Sequence, residues 1–199
     1  MFLFYYFIKT VFKTLLSVQE NDVVFYTDSG SVFTASPEPH FCLMEKLGQD
    51  VVVFSSGLKE RAYSKRSALL LMNCGDFNNC SNTMQRMTGA LIVRKSLMSL
   101  SMISHWMAYN ADRRIVDEHD DDEQLAKAEH GSWYKREDEK FIANRHDQTV
   151  MSIVSKKYQI PEWPDPSQYG DQGYNQELKQ MKQFRSIQNA IIQVTRDKN

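Results

Sequence analysis

Asp22-Val23-Val24-Phe25-Tyr26-Thr27-Asp28-Ser29-Gly30 begins at a turn residue, runs through β-preferring apolar side chains and stops at small polar ones. Hydrophobicity that is continuous rather than alternating reads as a strand covered on both faces, ended by a turn at Asp28-Ser29-Gly30-Ser31. Two further runs have the same character, Val51-Val52-Val53-Phe54 and Gly89-Ala90-Leu91-Ile92-Val93. Helical spacing fills the chain around them. Phe7, Ile8, Val11, Phe12, Leu15 and Leu16 lie on one face of a helix over Phe7–Val18, with Lys9, Thr10, Lys13 and Thr14 opposite. Pro37-Glu38-Pro39 opens a helix to Leu47 that Gly48 closes. Ser64 to Met72, the stretch after Arg94 through Asn110, and His146 to Tyr158 are also read as helices. Short apolar strands alternating with helices predict an α/β domain with a mostly parallel sheet and flanking helices.

Composition narrows the class. Aromatic residues make up 12% of the chain against only five Pro and eight Gly, which excludes a disordered or collagenous polymer. The 24 basic side chains nearly balance the 25 acidic ones, so nothing in the net charge draws the chain to nucleic acid, and no such partner is expected. Three cysteines, Cys42, Cys74 and Cys80, are too few for a disulfide scaffold. Cys74 and Cys80 are close enough to pair in an oxidising lumen, but free thiols are the expectation. Lys9 and Lys13 interrupt the apolar N-terminal run, so no clear membrane span is expected. The cytoplasm is the favoured compartment, with the secretory lumen as the alternative. Residues 1–170 form the predicted domain. Residues 171–199 form a polar tail with an amphipathic helix over Gln176 to Arg196, carrying Leu178, Met181, Phe184, Ile187, Ile191 and Val194.

Several groups could carry chemistry. Asp28 is a lone carboxylate at a strand end followed by small residues; it either caps the turn or meets a ligand there. Asn144-Arg145-His146-Asp147-Gln148-Thr149 stands directly before a helix. Asp147 or Thr149 serves as a plain N-cap there, or the cluster holds an anionic or hydroxyl-rich ligand. Lys65 and Arg66 open another helix and are either solvated or anion-binding. The acidic run Asp117-Glu118-His119-Asp120-Asp121-Asp122-Glu123 reads as a solvated loop. Trp133-Tyr134 offers aromatic faces that suit a sugar. Trp106 reads as core.

Taken in order, the strand ending in Asp28-Ser29-Gly30, then Tyr63-Ser64-Lys65-Arg66, then Gln85 with Thr88-Gly89-Ala90-Leu91-Ile92-Val93-Arg94-Lys95-Ser96, then Arg145-His146-Asp147-Gln148-Thr149-Val150-Met151, resemble a group of glycosyltransferases. These are nucleotide-diphospho-sugar transferases of the GT-A type, distantly similar to the glycogenin-like enzymes, and some are found near polysaccharide genes. The similarity covers about Lys9 to Lys157. It implies a Rossmann-like sheet and transfer of a sugar from a nucleotide diphosphate to a carbohydrate or protein hydroxyl.

The resemblance also assigns roles. Asp147 and Gln148 are then the catalytic pair beside the sugar. Asp28, Ser29, Gly30, Lys65, Arg66, Gln85, Gly89, Arg145 and His146 are then substrate-binding, with Lys65 or Arg66 near the diphosphate. A divalent cation, Mn²⁺ or Mg²⁺, is the implied cofactor, with Asp28 as its ligand. The usual Asp-x-Asp is Asp28-Ser29-Gly30 here, one carboxylate short. Only the residues before Val23 precede that strand, so the chain is expected to lack the first strand of such a domain. The alternative from another class is a carbohydrate-binding or interaction protein without catalysis, on a degenerate scaffold of this type.

Overall fold

The computed structural model of the protein describes residues 2–74, 80–117 and 141–195. The acidic run beyond Asp117, and Trp133-Tyr134, lie outside the described residues. The elements in chain order begin with helix α1 (Phe2–Ser17), strands β1 (Val23–Thr27) and β2 (Ser31–Phe33), helix α2 (Glu38–Lys46) and strand β3 (Val51–Lys59). Short helices α3 (Glu60–Tyr63) and α4 (Arg66–Leu71) lead to the long strand β4 (Met84–Arg94). Helices α5 (Leu97–Asn110), α6 (Arg113–Val116) and α7 (His146–Lys157) follow, then β5 (Glu162–Trp163), α8 (Gly173–Gln180), a 3-10 turn (Lys182–Ile187) and β6 (Ile192–Val194).

The fold is α/β with a mixed four-stranded sheet in the order β1-β4-β3-β5 and flanking helices. The expected parallel character is corrected: β4 runs antiparallel to both β1 and β3, and only β3 and β5 are parallel. Continuous apolar runs report that both faces are covered and carry no information about direction. Both faces are indeed covered. Val51, Val53, Leu91 and Val93 pack on one side against α1, α5 and α7, through Ile8, Leu15, Met102, Trp106 and Val150 among others. Val52, Phe54, Ala90 and Ile92 pack on the other against Leu43, Met44, Trp163, Phe184 and Ile187.

Local chemistry explains the helix limits. Ser96 and Ser99 bond each other's backbone N–H reciprocally, a capping box that starts α5. Gly48 takes φ +62°, the left-handed turn expected after α2. The end of α1 is held by the Lys95 ammonium, which donates to the Leu16 and Val18 carbonyls at 3.2 and 2.6 Å. Within α1, Ile8, Val11 and Leu15 are buried as expected, but Leu16 is exposed, one residue past the buried stripe.

Two other expectations are corrected. The helix over Gln176 to Arg196 breaks at Met181, whose backbone is extended, and the chain continues as the 3-10 turn and β6. Leu178, Phe184, Ile187 and Ile191 are all buried as their spacing suggested, but three kinds of backbone bury them. Strand β6 pairs antiparallel with β2, setting Ile192 opposite Phe33. Cys74 and Cys80 form a disulfide rather than free thiols, joining the end of α4 to the approach of β4. Among the described residues, no helix is long and apolar enough to cross a membrane.

Candidate functional site

The polar string before α7 is organised by Asn144. Its amide donates to the carbonyls of Ile115, Val116 and Asp117 at 3.0, 3.4 and 3.2 Å, closing the end of α6. Its oxygen accepts from the Thr149 hydroxyl at 3.0 Å and the Lys65 backbone N–H at 3.3 Å. One buried carboxamide therefore fixes three segments together. His146 follows with φ +47°, a backbone that suits few side chains, and its Nδ1 donates to the Val116 carbonyl at 2.5 Å. Arg145 is exposed and lays its guanidinium over the Tyr63 ring, 5.0 Å from the centroid. Neither Asp147 nor Thr149 caps α7; Arg145 holds the cap position with no side-chain bond.

Asp147 is 7% exposed, at the first turn of α7. The Trp106 indole N–H donates to its backbone carbonyl at 3.1 Å, so a core side chain pins the residue in place. Burial pushes the Asp147 carboxyl up to about 6, and the nearby charge of Asp28 pushes the same way. The Thr88 hydroxyl, its own backbone N–H and the His146 charge work against that rise without cancelling it.

Asp28 reaches the same place from the end of β1. Its backbone N–H donates to the Gly89 carbonyl at 3.0 Å, continuing the β1–β4 ladder, and its Oδ1 accepts from the Tyr26 hydroxyl at 2.9 Å. A Cβ on Gly89 would sit 3.5 Å from Asp28 Oδ2, so the carboxylate lies directly over the glycine backbone. Residues from opposite ends of the chain thus meet: Asp28 from β1, Thr88 and Gly89 from β4, and His146 and Asp147 from α7.

The remaining candidates are placed differently. Gln148 is half-buried and donates to Gln85 Oε1 at 2.7 Å. Gln85, expected at the substrate, is wholly buried, so it reaches the cluster only through Gln148. Lys65 is 1% exposed, and its charge acts on Asp112 at the start of α6. Expected at a diphosphate, it is built into the base of the α7 clamp. Ser29 is exposed, and the Gly30 carbonyl is taken by the Thr195 N–H at 2.8 Å, which ties the turn to the end of β6. Sequence reasoning missed Glu60, wholly buried and bound by Lys156, Ser64, Ser152 and Gln85. The adjacent Gln85-Arg86 in a strand otherwise headed for the core was the available signal, since polar side chains buried there demand partners.

Asp28 and Asp147 are hard-oxygen donors of the kind Mg²⁺ and Mn²⁺ prefer. Among the described residues, no three His, Cys, Asp or Glu side chains come together as a metal cluster. Asp28 would be the group to hold such a dication, with the ligand's phosphates supplying the rest of its shell. No family model, curated protein or solved structure matches the chain.

Proposed function

We propose that this chain transfers a sugar from a nucleotide diphosphate to a hydroxyl acceptor, a carbohydrate or a protein. The observation that supports the reading is that Asp28, lying over Gly89, is near enough for its charge to act on Asp147, whose carboxyl is raised to about 6 chiefly by burial. A carboxylate in that range takes and returns a proton near neutrality. In the proposed step Asp147 accepts the proton of the acceptor hydroxyl as its oxygen bonds to the anomeric carbon. The bond from that carbon to the diphosphate breaks, and the diphosphate leaves with the electron pair. Asp28 stands beside the donor, where a bound dication would neutralise the leaving charge. Arg66 is the cation assigned to the diphosphate, with Arg145 and His146 binding substrate beside it.

Calorimetric titration with uridine and guanosine diphosphate sugars, with and without Mn²⁺, tests this. Binding is expected for one base, weakened about tenfold or more by Asp28→Ala, in line with loss of a charged contact. If none of these sugars binds, the reading fails for this chain. The second reading, a carbohydrate-binding protein without catalysis, is favoured by the single carboxylate of Asp28-Ser29-Gly30. Nucleotide bound without release of free diphosphate in the presence of acceptors would select it.

A further inference from the structure

We propose that buried Glu60, acting through Gln85, is a positioning residue that fixes the Gln148 carboxamide with its oxygen left over for a ligand. The polarity rests on this chain's hydrogen bonds alone; only the identity of the ligand as a sugar rests on the proposed transfer reading. A carboxamide fits its space either way round, and its partners decide which end is nitrogen. Around one end of Gln85 stand Glu60 Oε1 at 3.3 Å, the Tyr63 carbonyl at 3.1 Å, Ser64 Oγ at 3.1 Å and Thr149 Oγ1 at 3.4 Å. A carboxylate and a carbonyl only accept. Both hydroxyls have their single proton engaged elsewhere: Ser64 donates to Glu60 Oε1 at 2.5 Å, and Thr149 to Tyr63 O or Asn144 Oδ1, each at 3.0 Å. That end of Gln85 must therefore be its NH₂.

The constraint then passes outward. Gln85 Oε1 faces Gln148 at 2.7 Å, and an oxygen there requires a nitrogen opposite, so Gln148 is oriented as well. Its own Oε1 takes no hydrogen bond from the described residues, and Gln148 is only half-buried, whereas Glu60, Ser64, Gln85 and Thr149 are buried. The polarity is set by two acceptors, the Tyr63 carbonyl and the Glu60 carboxylate, which the Lys156 ammonium binds in a salt bridge. The group that meets Gln148 Oε1 must then be a hydrogen-bond donor. A hydroxyl of the sugar qualifies, and a phosphate oxygen, which only accepts, cannot bond that atom.

Two measurements test this. In the ligand-free protein, ¹⁵N NMR of the side-chain amides, assigned with Gln85→Met and Gln148→Met, should show the Gln85 NH₂ exchanging about 100-fold slower than exposed glutamines. Exchange as fast as at the surface overturns the relay. The second compares diphosphate hexoses with analogues in which one ring hydroxyl at a time is replaced by fluorine, which cannot donate. At one position the replacement should weaken binding about tenfold in the wild type and less than about twofold in Gln148→Met. Glu60→Gln should reduce that preference: Lys156 claims the new carboxamide's oxygen, so its NH₂ confronts that of Gln85 and leaves the Tyr63 carbonyl alone to hold the relay's direction. A folded Glu60→Gln variant that discriminates like wild type overturns Glu60's role. If that variant does not fold, the wild-type exchange and the Gln148→Met comparison still decide. Hexoses that bind with no such position refute the relay's reach to the ligand and leave the transfer reading standing. Hexoses that do not bind refute the transfer reading, while the exchange experiment still judges the relay.

Discussion

A carboxylate that is 7% exposed and faces a second carboxylate weakens the fold at neutral pH. Between the ordinary 3.8 and the folded value of about 6, the native chain holds a proton that the unfolded chain has released. Stability contributed by Asp147 is therefore present below that window and falls as pH rises through it. Asp147→Asn removes this dependence. Urea unfolding of both proteins should show the variant gaining on wild type by up to about 3 kcal/mol on going from about pH 4 to about pH 7. A constant difference across that range would place the Asp147 carboxyl in solvent. The role of Asp28 can be read from the same group. Asp28→Asn takes away a charge that raises Asp147, so ¹³C titration of the Asp147 carboxyl should find it lower in the variant than in wild type.

At the scale of elements, the site depends on how firmly the start of α7 is held. Two side chains do much of this: Asn144, bridging α6, α4 and α7, and Trp106 of α5, which donates to Asp147 O. Trp106→Phe keeps most of the packing and leaves that buried carbonyl without its donor, so chemical denaturation should show a loss of about 1–3 kcal/mol. Asn144→Ala orphans more groups at once and should cost on the order of 3 kcal/mol, together with faster amide exchange over the first turn of α7. The sequence made the N-terminus of α7 legible, because a polar string gave way there to Val150, Met151, Ile153 and Val154 at helical spacing. It could not show that Trp106 does more than fill the core, since its partner stands forty-one residues away. Glu60 was equally hidden. Its partners Gln85, Ser152 and Lys156 come from later elements, and nothing local distinguishes it from a solvated glutamate at a helix start.

For the molecule as a whole, periodicity gave away which residues are buried more readily than how the chain connects them. Val51–Phe54 and Ala90–Val93 are core on both faces as their composition demands, yet strand direction depends on connections whose lengths fit either sense. The register shifts in β3–β4 were also invisible. They let the neighbours Gln85 and Arg86 both bond α7, at Gln148 and Ser155, although adjacent residues of a regular strand face opposite ways. The Cys74–Cys80 disulfide closes a short loop with a sequence separation of 6. Reduction should lower stability by about 2 kcal/mol, the chain-entropy value for so small a ring, measured by urea unfolding with and without reductant.

The pairing of β2 with β6 bears on the order in which the protein is made. Thr195 donates to Gly30, two residues past Asp28, so the turn beside that carboxylate is anchored by a segment translated long after it. During vectorial synthesis β1, β3 and β4 have all emerged before this anchor exists. A nascent chain can therefore own most of its sheet while the Asp28 turn is still untethered, and that turn is fixed only when β6 pairs with β2.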